Sequence, residues 1–438
     1  MQVFCGRDPE RGVETCTVVE MLASYEQGFA SLGMPALADR IERIAFNALP
    51  AALTADMWTH VYVHQANSVY AGVTHPQSTR GHEHTHAHAA ADASARTCPR
   101  GACHGGPTEA SRSPPPLQSL LPAAAPPPPA SPVPPSLGGG PAAFSEIQKA
   151  NYFGTSHFPC CITNFPQGWP KLVQYAVMVE PTVEPAATPP AVVVAMLIPV
   201  RATVAAANAS IQVQSDYPFA DGGTITVTAG QPITLKVRIP AWATRATLNG
   251  TGVANGTLAA VLCPAGDTVV VVHFAPELRV ERGWGDALAS PAADAVAITR
   301  GPLVFALHPE EQRQAIRTFH TVPPAVGEHA PDYLIRTNEA WNYALDFDAA
   351  APAFISQPST GWQISFPFDD SGTYPFAVHV MGRRVPSWGY WRGSNITNPP
   401  PVSPVDCTHC GPLTKLQLVP FGSTNIRIAV FPHTGGLQ

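Results

Sequence analysis

Two short stretches of the chain place carboxylate and thiol side chains close together in sequence. Glu14 and Cys16 flank a threonine near the start, and Cys160 and Cys161 are adjacent much further along. One carboxylate and three thiols make a full set of ligands for tetrahedral zinc. A thiolate held by zinc is ionised at neutral pH, so it is also a nucleophile. These residues therefore predict a zinc-thiolate site, structural or catalytic.

The spacing of these residues leaves a simpler alternative open. Glu-x-Cys and Cys-Cys are not the paired C-x-x-C units of a zinc finger. Adjacent cysteines rarely pair with each other, because a vicinal disulfide is strained. On residue types alone, buried free thiols are the alternative to a metal site.

Two further groups of cysteine and histidine residues have types suited to metal or redox chemistry. The C-x-x-C spacing of Cys407 and Cys410 suits a redox pair or half a zinc site, but without a second such unit nearby it favours a loop disulfide or two free thiols. The other group lies in low-complexity sequence, which favours a solvated tract over a specific site. Its members are His75, His82, His84, His86, His88, Cys98, Cys103 and His104.

Several aromatic side chains in the second half of the chain have the type that stacks on sugar rings. In β structure such residues are more often core, and we expect these to be core. They are Trp242, Trp341, Trp388, Tyr390 and Trp391.

The composition limits the classes of protein to consider. The chain has 438 residues, enough for two or three domains. Only 13% of residues are charged and the net charge is −6, without a basic stripe, so nucleic acid is not an expected partner. The longest apolar run, residues 191–200, is too short to span a bilayer. Neither a Walker A motif nor a Rossmann glycine fingerprint is present, and Gly-x-Ser-x-Gly is absent.

Helical periodicity surrounds the first pair of site residues. Residues 14–50 predict a helical hairpin broken at Gly33-Met34-Pro35. Two short antiparallel helices cannot bury both apolar faces alone, so we expect further helices around them. The apolar positions are Val18, Leu22, Tyr25 and Phe29 in the first helix, and Leu37, Ile41, Ile44 and Ala48 in the second.

The adjacent cysteines follow a long segment of different character. Residues 51–70 predict a short extended stretch, and residues 72–143 are rich in His, Pro and Ala, which predicts a disordered insert within a domain. After the insert, Asn164 is a candidate cap for a helix through Leu172, Val173, Ala176 and Val177. This reading places the cysteines in a loop just before that helix, where the helix N-terminus favours thiolates.

From about residue 190 the hydrophobic period changes to two. Residues 225–227, 233–239, 269–274 and 426–431 alternate apolar with polar side chains, and Gly, Pro and Asn-Gly separate the runs. This pattern is typical of β-sandwich domains.

Longer motifs resemble a known enzyme family. The stretch GVETCTVVEMLASYEQ…ADRIERIAFNALPAALTADMW resembles the catalytic domain of glycoside hydrolase family 127, the β-L-arabinofuranosidase-like family. Further motifs occur in the family's order outside the insert, and the combination of Glu-x-Cys with Cys-Cys is the specific part. They are CCITNFPQGWPK (160–171), RIPAW (238–242), TRGPLVFAL (299–307), WNYAL (341–345), VPSWG (385–389) and LVPFGSTNIRIAVFP (418–432).

The resemblance implies a fold and a domain division. It implies an α+β multidomain chain in which a partial (α/α)6 barrel precedes all-β sandwich domains. The expected segments are the C-terminal part of the catalytic barrel (1–71), the insert (72–143), the end of the barrel with the Cys-Cys loop and a helix (144–185), a β-sandwich (190–310), and a second β-rich domain or an extension of the sandwich (311–438).

The resemblance also implies a chemistry. Zinc would be held by Glu14, Cys16, Cys160 and Cys161, and Cys160 matches the family's nucleophile. Its thiolate would attack the anomeric carbon, form a glycosyl-cysteine and release the sugar to water with retention of configuration. The implied partner is an arabinofuranose-containing glycan or glycoprotein sugar.

One departure from the family pattern concerns the acid/base carboxylate, which precedes Glu-x-Cys in the family by a dozen residues or more. Here Asp8 and Glu10 are too close, and Gln2 cannot protonate a leaving group. We therefore expect a truncated or degenerate member, inactive or nearly so, because loss of the acid costs orders of magnitude in rate.

The alternative function is a non-catalytic carbohydrate-binding or structural β-sandwich protein with a vestigial half barrel. Compartment and oligomeric state stay open. No signal peptide is recognisable at Met1, whereas the N-x-[ST] sequons and a cell-wall-type substrate favour secretion.

Overall fold

The structure is a computed structural model that describes most of the chain outside the predicted insert. The described residues are 8–72, 152–154, 159–181, 189–283, 290–317, 332–356, 368, 374–391 and 395–437. The His-rich group and nearly all of the predicted insert lie outside these ranges, as does Gln2. Residues 1–74 and 147–438 form one compact unit.

The predicted helical hairpin is confirmed. Helix α1 (Thr15–Leu32) ends at Gly33, which adopts a left-handed φ of 61° that glycine tolerates without strain. Helix α2 (Pro35–Arg43) begins with proline at its first position and continues into a π-helical turn, Ile44–Ala48. A 3-10 turn, Pro50–Ala52, then ends the helical segment.

The two helices pack through the apolar positions that the periodicity identifies. Val18, Leu22 and Phe29 of α1 are buried, as is Ile41 of α2, and all four belong to the largest hydrophobic cluster. On each helix, the face on which apolar residues recur every 3.6 positions therefore packs into the core, as expected for amphipathic helices.

Short strands follow the hairpin, as predicted for residues 51–70. Strand β1 precedes α1, and the others lie between Trp58 and Gly72. The strands are β1 (Val13–Glu14), β2 (Thr59–Val61), β3 (Val63–His64), β4 (Asn67–Ser68) and β5 (Tyr70–Ala71). The pairing of β1 with β3 fixes Glu14 opposite Val63.

The segment that contains the adjacent cysteines differs from the prediction. After β6 (Tyr152–Gly154), helix α3 (Pro159–Asn164) contains both cysteines, so their placement in a loop is wrong. A 3-10 turn (Phe165–Gln167) leads to α4 (Gly168–Gln174).

Asn164 is also not a helix cap. It has right-handed helical dihedrals and makes no capping hydrogen bond, because it is the last residue of α3 rather than the start of α4. Helix α4 begins at Gly168, which packs closely on Leu49: a Cβ at this position would lie 2.9 Å from Leu49 Cδ1.

The helix predicted through Ala176 and Val177 ends at Gln174, so this extension is wrong: Val177 begins a strand, because it pairs with a neighbouring strand at Val194. The alternating strands predicted at residues 225–227, 233–239 and 269–274 are confirmed, and with their neighbours they form two sheets. The strands are β7 (Val177–Val179), β8 (Ala191–Val194), β9 (Val200–Val204), β10 (Ala209–Ser215), β11 (Gly222–Ala229), β12 (Ile233–Ile239), β13 (Thr247–Leu248), β14 (Thr251–Gly252), β15 (Thr257–Cys263) and β16 (Gly266–His273). Their orders are β14-β13-β16-β11-β10-β9 and β15-β12-β8-β7. Buried side chains of both sheets, such as Val227 and Leu235, join one hydrophobic cluster.

The remaining strands form two further sheets. They are β17 (Leu278–Arg282), β18 (Val296–Arg300), β19 (Leu303–Leu307), β20 (Gln312–Arg317), β21 (Asp332–Arg336), β22 (Tyr343–Leu345), β23 (Ala353–Ser356), β24 (Phe376–Arg384), β25 (Leu413–Pro420) and β26 (Arg427–Ile428). A nine-stranded sheet has the order β17-β18-β19-β25-β24-β22, with β23 on β24 and with β26 between β19 and β4. A five-stranded sheet has the order β2-β6-β21-β20, with β5 on β21.

The C-terminal strands differ from one sequence expectation. Strand β19 pairs with β25 and β26, so the nine-stranded sheet contains strands from both sides of residue 310, and the expected domain division stays a prediction. Residues 426–431 are all buried, and only Arg427–Ile428 is a strand, so alternation is wrong there. Packing on both sides removes the polar face that alternation requires.

A buried ionic network joins the helical hairpin to the β12 sheet. The Arg238 guanidinium pairs with Glu42 and with Asp39, the latter at 2.5 Å from Nη1 to Oδ1. Arg238 Nε also donates to the Ala195 carbonyl at 2.7 Å. Because Arg238 and Glu42 are both buried, each needs the other to remain in the interior.

The described part of the chain is therefore mostly sheet, with a helical hairpin and two short helices. No helix among the described residues is long and apolar enough to cross a membrane.

Candidate active site

Backbone and side-chain contacts hold the start of α1, where Glu14 and Cys16 lie. The Thr15 amide donates to the Tyr62 carbonyl at 3.0 Å, and Thr15 Oγ1 donates to the Val61 carbonyl at 2.6 Å. Thr15 is buried. The residue between the two predicted ligands is therefore an anchor that fixes both of them to the strands after the hairpin.

The fold brings two of the predicted thiols together. Cys16 Sγ lies 3.4 Å from Cys161 Sγ, although the two residues are far apart in sequence. Neither cysteine forms a disulfide, and Cys161 is fully buried. Helix α3 supplies Cys161 and the first turn of α1 supplies Cys16, so the packing of α3 on α1 creates the pair.

Tyr62 is a site residue that the sequence analysis missed. Its hydroxyl donates to Glu14 Oε1 at 2.6 Å. The only signal in the sequence is alternation: Val61 and Val63 are buried, so Tyr62 projects to the opposite side. Nothing in the sequence indicates that this side faces Glu14.

The donor set agrees in part with the expected zinc site. Two thiolates on one tetrahedral zinc, at about 2.3 Å each, lie about 3.8 Å apart, close to the separation of the Cys16 and Cys161 sulfurs. Among the described side chains, however, no group of three or more His, Cys, Asp or Glu residues could hold a metal ion, so Glu14 does not join the two thiols in such a group. The side chain of Cys160 lies outside the described part, and the complete set of four stays a prediction.

The carboxylates upstream of Glu14 are engaged elsewhere. Asp8 pairs with Arg11 at 3.3 Å and accepts a hydrogen bond from Ser290. Glu10 is buried, and this burial raises the pKa of its carboxyl group to about 7, with its own backbone hydrogen bond partly opposing the rise. A raised pKa suits a general acid, but a buried carboxyl does not face an open cleft. The acid stays unassigned.

Another carboxyl group is buried on the helix that carries Cys16. Glu26 of α1 has no exposed surface, and neither of its carboxyl oxygens has a hydrogen-bond partner among the described residues. Burial raises its pKa to about 7, and Lys171 of α4 partly offsets the rise. No motif singled out Glu26, because its burial depends on α4 packing across α1.

The other candidate groups have clear outcomes. Cys407 and Cys410 form a disulfide, one of the alternatives left open for this pair. Trp341 and Trp388 are buried with ring centroids 5.2 Å apart, so the expected core role is confirmed for both. Tyr390 packs on Trp341 but is 40% exposed.

The sequence of this chain is similar to a known enzyme family in one segment. Residues 191–261 match the sequence profile described as the GH127 middle domain of β-L-arabinofuranosidases. The resemblance to glycoside hydrolase family 127 is confirmed. No curated protein matches the sequence significantly.

Solved structures of the GH127 family share the fold over nearly the whole chain. A glycoside hydrolase superposes with a TM-score of 0.54 at 14% identity, covering 98% of this chain and 53% of its own. A GH127 β-L-arabinofuranosidase from Geobacillus stearothermophilus T6 gives 0.51 at 15% identity, with 97% and 51% covered. A GH127 β-arabinofuranosidase gives 0.50 at 14% identity, with 97% and 50% covered. The chain therefore spans about half the length of each of these three structures.

Proposed function

We propose that this chain is part of a glycoside hydrolase of the β-L-arabinofuranosidase type. The observation that carries the proposal is the thiol pair Cys16–Cys161, at 3.4 Å, in a GH127-like fold. Both thiols come from the two short motifs that the resemblance marks as the site. The proposed substrate is an arabinofuranose-containing glycan or glycoprotein sugar.

The proposed roles follow the chemistry of each residue. Cys160 is the nucleophile, and Glu14, Cys16 and Cys161 complete the zinc ligands together with it. Bound zinc would supply positive charge that keeps these thiols ionised at neutral pH. Cys160 would attack the anomeric carbon as the glycosidic bond breaks, and the leaving oxygen would take a proton from the unassigned acid. Water would then displace the cysteine thiolate and release the sugar with retention.

The surrounding residues support the site by orienting its ligands. The hydroxyl of Tyr62 donates to one oxygen of Glu14 and leaves the other for coordination. Such outer hydrogen bonds to ligating carboxylates fix their orientation. Thr15 holds the first turn of α1 in place, so Cys16 keeps its position against α3.

The architecture proposed around this site has two parts. We assign α1, α2, α3 and α4 to an (α/α)6 barrel, supported by the helical hairpin and the coverage of GH127 structures. We assign the six- and four-stranded sheets to a β-sandwich, supported by the hydrophobic cluster that joins buried side chains of both sheets.

The test measures metal content and turnover on the same protein. We expect about one zinc per chain, lost in Cys16→Ser and Cys161→Ser and retained in Cys263→Ala, which removes a buried cysteine of β15 outside the predicted site. Hydrolysis of an aryl β-L-arabinofuranoside would support the enzyme and should depend on Cys160. If the purified protein contains no metal and shows no turnover, the proposal is refuted. The alternative, a non-catalytic carbohydrate-binding or structural protein, is then favoured.

A further inference from the structure

The disulfide between Cys407 and Cys410 lies outside the proposed zinc site and has no part in the proposed hydrolysis. It spans a 3-10 turn, Cys407–His409, in the connection between β24 and β25. Thr408 and His409 are exposed, and both cysteines are half-buried. The bond is therefore near solvent, unlike the fully buried thiol of Cys161.

Hydrogen bonds hold the turn without help from the disulfide. One carboxylate oxygen of Asp406 accepts from the Thr408 amide at 3.0 Å and from Thr408 Oγ1 at 2.6 Å. The Cys410 amide donates to the Cys407 carbonyl at 3.2 Å. The two sulfurs would therefore stay within reach of each other after reduction.

The flanks of the turn are attached to the sheet independently as well. The Val405 amide donates to the His433 carbonyl at 2.8 Å, and the Gly411 amide donates to the Arg384 carbonyl at 2.8 Å. A disulfide across so few residues also removes little entropy from the unfolded chain. The fold thus has little need of this bond, which points to a chemical rather than a structural role.

The two sulfurs are not equivalent. Cys410 packs against the main hydrophobic cluster, whereas Cys407 is the first residue of the 3-10 turn and lies between exposed Asp406 and exposed Thr408. An incoming thiol therefore has easier access to Cys407, and Cys410 is the sulfur that leaves.

We propose that Cys407–Cys410 is a reversible exchange site for small thiols of the glutathione class. The incoming thiolate bonds to Cys407 Sγ as the Cys407–Cys410 bond breaks, and the electron pair goes to Cys410, which takes a proton from water. A second small thiol attacks the mixed disulfide, releasing the Cys407 thiol and a small-molecule disulfide. Two electrons pass from the two small thiols to the protein.

The first experiment equilibrates the folded full chain with mixtures of reduced and oxidised glutathione, traps thiols by alkylation and maps them by mass spectrometry. We expect Cys407 and Cys410 to become reduced together as the mixture becomes more reducing, while buried Cys263 stays unlabelled. A disulfide that survives the most reducing mixture, and opens only in denaturant, overturns the proposal.

A matched pair of variants tests the direction of attack. With oxidised glutathione, Cys407 in Cys410→Ser should form the mixed disulfide about tenfold faster than Cys410 in Cys407→Ser. Equal or reversed rates overturn the assignment of Cys407.

The double variant Cys407→Ser/Cys410→Ser separates exchange from a structural role. It should melt within about 3 °C of the parent chain. A larger loss identifies a structural disulfide and overturns the proposal; if this variant does not fold, the glutathione equilibration on the parent chain still decides. None of these outcomes depends on zinc or hydrolysis, so failure here is distinguishable from failure of the proposed function.

Discussion

Replacing Glu26 with glutamine should stabilise the protein at pH 8 much more than at pH 5. The Glu26 carboxyl group is fully buried, and both oxygens are without hydrogen-bond partners among the described residues. Its charged form is therefore poorly solvated, and burial raises its pKa from 4.5 to about 7, with Lys171 partly opposing the rise.

The direction in which the free energy of unfolding changes with pH depends on whether the folded or the unfolded state binds the Glu26 proton more tightly. The folded state holds the Glu26 proton up to a pH near 7, whereas the unfolded state releases it near 4.5. Stability is therefore lost as pH rises through this window, and the loss is complete above the folded pKa. The shift corresponds to about 3 kcal/mol at pH 8 and about 1 kcal/mol at pH 5.

Glutamine cannot ionise, so Glu26→Gln removes this penalty. Any fixed cost of burying the amide is the same at both pH values. The gain in unfolding free energy should thus be about 2 kcal/mol larger at pH 8 than at pH 5, measured by urea denaturation. Glu10, whose pKa is also raised to about 7, contributes equally to both proteins and cancels.

Glu20→Gln is the matched control, because Glu20 is exposed on the same helix. It should give no comparable dependence on pH. A Glu26→Gln effect of equal size at pH 5 and pH 8 would refute the reasoning, because it would show that Glu26 ionises normally in the folded protein.

Three further predictions test the site and its support. Tyr62→Phe should weaken zinc binding about tenfold in a competition titration, whereas Tyr25→Phe should not; equal affinities would remove Tyr62 from the site. Arg238→Met leaves Glu42 buried without its cation and should cost about 3–5 kcal/mol in urea denaturation, with part recovered by adding Glu42→Leu; a neutral result would contradict a buried ion pair. Added zinc should slow alkylation of Cys16 about tenfold, and unchanged labelling would argue against coordination.

The helical hairpin could be predicted from the sequence because its determinants are local. Apolar residues recur with a helical period from Val18 to Phe29, and Gly33 and Pro35 mark the break between the helices. The alternating strands β11 and β12 were predictable for the same reason, since each has one face in the core.

The helix around the adjacent cysteines could not be predicted in this way. A helix as short as α3 is decided by its surroundings rather than by propensity. Asn164 has the residue type of a cap, yet it ends α3, and α4 begins only at Gly168. The pairing of strands in the sheets could not be predicted either, because β26 pairs with β4, and most of the sequence lies between these two strands.

The sequence by itself determined the types of ligand, the family resemblance and the periodicity of the helices and strands. Only the tertiary structure decided that Cys16 meets Cys161, that Tyr62 holds Glu14, and that Glu26 is buried beside α4. The physical reason is the range of the interactions. Periodicity and turns depend on neighbouring residues, whereas thiol contact, second-layer hydrogen bonds and desolvation depend on which distant segments the core packs together.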